Sequence, residues 1–199
     1  MGRSAKFDSG QILDAALEIV AERGPAAATM AAIAAWMGAP VGSIYHRFAT
    51  RDLLLAELWI RGIGRFQQGL IEALEADDAE SVVLHTVRWC RENPAEAAVL
   101  LLYRKEDLAA QWPEELGDRL AGLNAAAQAA FTAFARRRDA EPDWNRLVFA
   151  LIDVPLGAVR RHITDRNPPP PWVDDLVLTA SKAVLLGAEC QPGHADLPQ

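Results

Sequence analysis

Two glycines four positions apart, Gly38 and Gly42, lead into a run of hydrogen-bonding side chains: Ser43, Tyr45, His46 and Arg47. A hydroxyl, a phenol, an imidazole and a guanidinium close together suit recognition of oxyanions and of the polar edges of planar rings. Ile44 and Phe48, four residues apart, share the opposite face and point it at a core. Gly38 is the residue type for a turn with positive φ, and Gly42 leaves the backbone bare where a charged group must come close. Nothing in this run is arranged as a nucleophile with a base. His46, His85, His162 and His194 have no HExxH spacing, and no G-x-S-x-G or phosphate-binding P-loop occurs.

The elements that hold this run are helices. From Asp8 or Ser9, apolar residues recur at Leu13, Ala16, Leu17 and Val20, an amphipathic stripe stopped by Gly24-Pro25. A second, short helix is expected from Thr29, a capping type, to Gly38, where a C′ glycine is wanted. A third starts at Pro40 and stops near Thr50. Two short helices joined by a Gly-centred turn cross at a large angle, which lets the second enter a DNA major groove.

Thr50 caps a fourth helix running towards Glu75. Further helices are expected over Ala79–Glu92, Ala95–Leu108, Glu114–Arg138, Asp143–Arg166 and Trp172–Ala188, separated by Asn93-Pro94, Trp112-Pro113, Glu141-Pro142 and Pro168–Pro171. Pro155 should kink the eighth. The chain therefore reads as all-α with about nine helices, in two parts that meet near residue 50.

With 199 residues, 51% of them hydrophobic, the chain can bury a sizeable core. No run of 18 apolar residues spans a membrane and no signal-peptide pattern opens the chain, so a cytoplasmic protein with no membrane partner is expected. Cys90 and Cys190 lack CxxC partners and read as idle thiols; no metal and no cofactor is expected. The net charge of −7 weighs against nucleic acid. Its distribution does not, since residues 1–52 carry five basic and five acidic side chains and the deficit lies beyond them.

The ordered match of Thr29, Ile33-Ala34, Gly38, Gly42-Ser43-Ile44-Tyr45, Phe48 and Arg51-Asp52-Leu53-Leu54 resembles the TetR family of transcriptional regulators. The resemblance covers about 50 residues; beyond them only length and helical layout agree. It implies a helix-turn-helix DNA-binding domain over residues 1–54, an effector-binding and dimerisation domain over 55–190, and a flexible tail over 191–199. By position it implies that Thr29, Tyr45, His46 and Arg51 hold phosphates and that Val41, Gly42, Ser43 and Arg47 lie nearest the base edges. Arg3 and Lys6 would follow the backbone or a minor groove. The turn departs from the family in having Ala39-Pro40 where Val-Ser is common. Ala31 and Ala32 put no polar group on the first motif helix, which leaves specificity to Val41 against thymine methyls and to DNA shape.

For the larger part, the resemblance implies a homodimer on double-stranded operator DNA, released by a small-molecule effector of unknown identity. Amphipathic groups inside apolar segments are the effector candidates: His85, Trp89, Tyr103, Phe131, Phe149 and Asp153, each of which could equally be packing. They suit a largely apolar ligand. Dimerisation falls on two stripes of the last helices, Leu147, Leu151, Val154 and Ala158, and Leu176, Ala180 and Val184. The same stripes could instead pack within the chain. Two rival readings remain: an all-α enzyme, and a helical adaptor of the same fold that has lost DNA binding.

Overall fold

The computed structural model describes residues 7–109 and 112–187 and contains no strand among them. Arg3, Lys6, Cys190 and the 191–199 tail lie outside the described residues. Helix α1 (Ser9–Arg23) begins with a reciprocal cap: Asp8 Oδ1 accepts from the Gln11 amide at 2.8 Å, and the Gln11 side chain accepts from the Asp8 amide at 3.0 Å. Gly24 ends it at φ 81°, and a single 3₁₀ turn (Pro25–Ala27) leads to α2 (Met30–Met37). Thr29 caps α2 by accepting from the Ala32 amide at 3.1 Å. Gly38 then turns the chain in the left-handed region, φ 61° and ψ 32°, as its type requires. Helix α3 (Val41–Tyr45) is shorter than expected, with Pro40 as its N-cap; a turn through His46 and Arg47 follows, closed by the Phe48 amide on the Ile44 carbonyl at 2.9 Å.

Thr50 caps α4 (Arg51–Glu75), the long helix that joins the N-terminal part built on α1 to α3 (the head) to the helices that follow (the body). Around it lie α5 (Ala79–Glu92), α6 (Pro94–Leu102), α7 (Lys105–Leu108), α8 (Glu114–Arg138), α9 (Trp144–Val148), α10 (Val154–Thr164) and α11 (Trp172–Leu186). The helix expected over Ala95–Leu108 is divided. Tyr103 and Arg104 are extended, and this break turns Tyr103 against the head, beside Gly24. The helix expected over Asp143–Arg166 is continuous, but α9 and α10 are joined by a π-helical turn, Phe149–Asp153. Pro155 lacks the N–H for an ordinary α-turn, and the wider π turn just before it absorbs that loss.

The head core gathers Ile12, Ala16, Ile19, Val20, Ile33, Ile44 and Leu54, with Val99 and Leu108 reaching in from the body. The body core gathers Leu74, Val82, Val87, Trp89, Phe134, Leu151 and Val159. Arg137 and Arg138 are not the freely solvated helix end that their sequence suggests. Both bond Asp77, and Arg137 Nη2 donates to the Leu74 carbonyl at 2.6 Å, so the end of α8 is fastened to the end of α4. The Arg138 and Arg137 hydrogen bonds hold the Asp77 carboxyl below the usual aspartate range. No described helix is long and apolar enough to cross a membrane, and no group of three or more metal-ligating side chains gathers among the described residues.

Candidate nucleic-acid interface and ligand cavity

The head sorts α3 into two faces. Ile44 is fully buried and Phe48 nearly so, which fixes the helix against α1 and α2. On the other side Val41, Gly42, Tyr45, His46 and Arg47 are exposed and Ser43 is half-buried. Tyr45 stands 54% exposed, well beyond what a packing tyrosine shows. Ser43, Tyr45, His46 and Arg47 make no side-chain hydrogen bond or ion pair among the described residues. Gly38, Pro40, Gly42, Ser43, His46 and Arg47 border one open depression of about 520 Å³ together with Phe7. A Cβ on Gly42 would meet nothing within 4 Å, so no internal packing calls for glycine there.

Thr29 is exposed at the start of α2, and its hydroxyl oxygen, while accepting from Ala32, still has a proton to donate. Arg51 is placed otherwise than the motif suggests. Its Nε donates to the Ala28 carbonyl at 3.0 Å and its Nη2 to the Pro25 carbonyl, with Asp52 3.8 Å from Nη1. The guanidinium is thus committed to the connector between α1 and α2. It fixes the position of the Thr29 cap and is not a free phosphate ligand. This could not be read from the residue type, because carbonyls 23 and 26 positions away make the site.

Glu18 and Trp36 add a feature that was not expected. The Trp36 indole donates to Glu18 at 3.0 Å and the Arg23 guanidinium lies 5.3 Å from its ring centre. Polar contact on the face of α2 therefore comes from α1, where Ala31 and Ala32 supply none.

The six effector candidates do not converge. Trp89 alone lines an internal cavity of about 190 Å³, together with Ile63, Phe66, Thr86, Cys90, Leu100, Leu101 and Leu156. His85 stands behind its wall: Nε2 donates to the Phe66 carbonyl at 2.8 Å and the two rings are 4.9 Å apart. That bond requires the proton on Nε2, and burial pushes the imidazole pKa down, so the ring is held neutral. Gly69 makes room for it, since a Cβ there would come within 2.6 Å of His85 Cε1. Tyr103 packs with the head, away from this cavity. Phe131 is core, beside Trp144. Phe149 and Asp153 are exposed on the π turn, so Asp153 is not the buried carboxylate that its apolar neighbours implied.

Sequence reading missed Phe66, Thr86, Leu100, Leu101 and Leu156. Thr86 left a trace, being the polar member of the buried stripe Val82, Val83, Thr86, Trp89 and Cys90 on α5. The others come from α4, α6 and α10, whose meeting no local pattern encodes.

The dimer stripes also divide. Leu151 is buried within the chain, and Leu147, Val154 and Val184 are half-buried against the same core. Leu176 at 60% exposure, Trp172 and Ala180 face outward, and with Val154, Gly157 and Ala158 they border a shallow groove of about 370 Å³ between α10 and α11. Trp144, Val148 and Phe149 extend the set of exposed apolar residues.

The family of bacterial regulatory proteins named tetR matches residues 12–58. No curated protein sequence matches the chain. Among solved structures, a tetR family transcription regulator from Shewanella sp. PV-4 is 18% identical at TM-score 0.64, over 92% of this chain and 98% of that one. The transcriptional regulator FadR from Bacillus subtilis, solved with stearoyl-CoA, is 19% identical at TM-score 0.67, over 90% and 99%. The tetR family regulator PfmR from Thermus thermophilus is 20% identical at TM-score 0.63, over 89% and 98%. At these identities the likeness is one of fold, and it runs through both parts of the chain.

Proposed function

Since its N-terminal domain belongs to the tetR family of bacterial regulatory proteins and the whole chain has the fold of such regulators, we propose that it is a ligand-responsive repressor. In this reading it binds a palindromic operator as a homodimer and is released by a small, largely apolar effector.

One observation carries the reading. Ile44 and Phe48 anchor α3 from behind, while its outward donors have no partner within the chain among the described residues. Arg47, the longest of those donors, is assigned to a guanine O6/N7 edge, with Val41 against a thymine methyl. The Thr29 hydroxyl, the α2 amide groups, Tyr45 and His46 are assigned to phosphates, which fix register without reading sequence. Arg51 keeps Thr29 in place. Arg3 and Lys6 remain candidates for the flanking backbone.

Exposed Trp172, Leu176 and Ala180 supply the surface for a second copy, and Gly157 and Ala158 let the helices approach closely. Release needs a path from cavity to head. Leu100 and Leu101 line the cavity on α6, which packs against α1. Just past the end of α10, Arg166 Nη1 donates to the Glu22 carbonyl at 2.8 Å, near the end of α1. A ligand that prefers one spacing of the two heads then shifts them out of register with half-sites about one DNA turn apart.

A mobility shift of the purified chain on duplex DNA at rising salt tests the reading. Log affinity should fall linearly with log salt, the sign of released phosphate counterions. Equal binding at all salt concentrations, or none at low salt, would contradict it.

A further inference from the structure

Among the described residues the structure buries two polar side chains completely enough to count as core, Ser181 and Thr86. Ser181 is satisfied, its hydroxyl donating to the Ala150 carbonyl at 2.7 Å. Thr86 makes no side-chain hydrogen bond among the described residues, is 6% exposed, and lines the internal cavity. A buried hydroxyl is ordinarily paired, and one left unpaired at a cavity wall marks where a ligand group would complete it.

The rest of the wall says what that ligand is. Phe66 and Trp89 meet edge to face, centroids 5.2 Å apart and planes at 81°, and form two aromatic sides of the space. Ile63, Leu100, Leu101 and Leu156 form the others, with Leu156 half-exposed at the rim. No charged side chain lines the cavity. Burial pushes the Cys90 thiol up to about 12, so it too stays uncharged near neutral pH. The volume of about 190 Å³ is close to that of an apolar cavity of about 150 Å³ that admits benzene. It has room for one ring with a short substituent. Perpendicular aromatic walls favour a ring over an alkyl chain of equal volume, because edge and face contacts are both available.

We propose that this cavity binds an uncharged, single-ring aromatic molecule carrying one hydroxyl, and that Thr86 is the specificity-determining residue that hydrogen-bonds it. The proposal rests on the reading of the body as an effector domain and assigns that effector its chemical class.

Calorimetry on the full chain without DNA tests it, using 4-methylphenol, its isostere p-xylene, and octanoate as a charged chain. The unmodified protein should bind 4-methylphenol at least tenfold more tightly than p-xylene, and octanoate more weakly than either. Thr86→Val keeps the volume and should abolish the preference while leaving p-xylene binding unchanged. Leu100→Trp, checked for an unaltered melting profile, should block both ring probes. A preference that survives in Thr86→Val, octanoate binding above the ring probes, or no uptake of 4-methylphenol would each overturn the proposal. Operator binding is measured separately on the ligand-free protein. Its absence there would refute the repressor reading and leave the cavity result standing.

Discussion

Head and body of this chain solve the placement of functional groups in opposite ways. In the head, the groups assigned to DNA among the described residues, Thr29 and those within 41–47, come from one stretch of 20 residues, Thr29–Phe48, with a cap, a left-handed glycine and two inward anchors. In the body, the cavity is assembled from α4, α5, α6 and α10, residues 63–156, and no two of these helices share a motif. A local site is written in spacing; a site built by packing is written only in the fold. Ligand variety is accordingly easy to generate in such a body, because each wall residue can change without disturbing a motif.

Substitutions that separate the two kinds of residue in the head should have the largest effects. Arg51→Ala removes charge-assisted bonds to the Pro25 and Ala28 carbonyls and frees the connector in front of α2. A stability loss of about 2–3 kcal/mol is expected, read as a lower urea midpoint at unchanged m-value. A variant as stable as the parent but weaker on all DNA would return Arg51 to the phosphate-binding set. Arg47→Ala is the counterpart, exposed and unpartnered among the described residues. It should leave the melting temperature alone and reduce discrimination between the operator and a single guanine substitution by about 1–3 kcal/mol.

In the body, Leu176→Asp places a charge on the most exposed part of the α10–α11 groove. Self-association should weaken at least tenfold, about 1.4 kcal/mol, in sedimentation velocity, with helix content unchanged. An unaltered oligomer would move the interface elsewhere. The smallest effect expected is the pH dependence set by His85, whose folded pKa is depressed by burial while the unfolded chain keeps about 6.5. Below 6.5 the unfolded state binds the extra proton first, so stability is full above that value. It declines as pH falls from 6.5 towards the lowered folded value. His85→Gln should flatten that part of the stability profile. A slope that persists in the variant would assign the proton to another group.

How much the sequence disclosed follows the same division. Caps at Asp8, Thr29 and Thr50, the turn at Gly38 and the inward pair Ile44 and Phe48 were all legible, because each depends on neighbours within four residues. The all-α class and most helix limits were legible from Pro and Gly punctuation. Three things were not. Arg51 looks like a surface cation until the Pro25 and Ala28 carbonyls are placed beside it. Tyr103 looks like an interior residue of one helix over Ala95–Leu108, yet the chain is extended there between α6 and α7, and Tyr103 packs with the head. Leu151 and Leu176 look equivalent by spacing, but the π turn and the packing of α11 bury the first and expose the second. Periodicity identifies an apolar face without saying whether its partner is the same chain or another copy.

Operator recognition requires α3 to be offered to DNA twice, in a fixed relation. Selection of duplexes from a random pool by the full chain, followed by sequencing, tests this most directly. An inverted repeat with half-site centres about 10 base pairs apart, or a multiple of that, is the expected product. Enrichment of a single unsymmetrical element, or of no sequence at all, would contradict it.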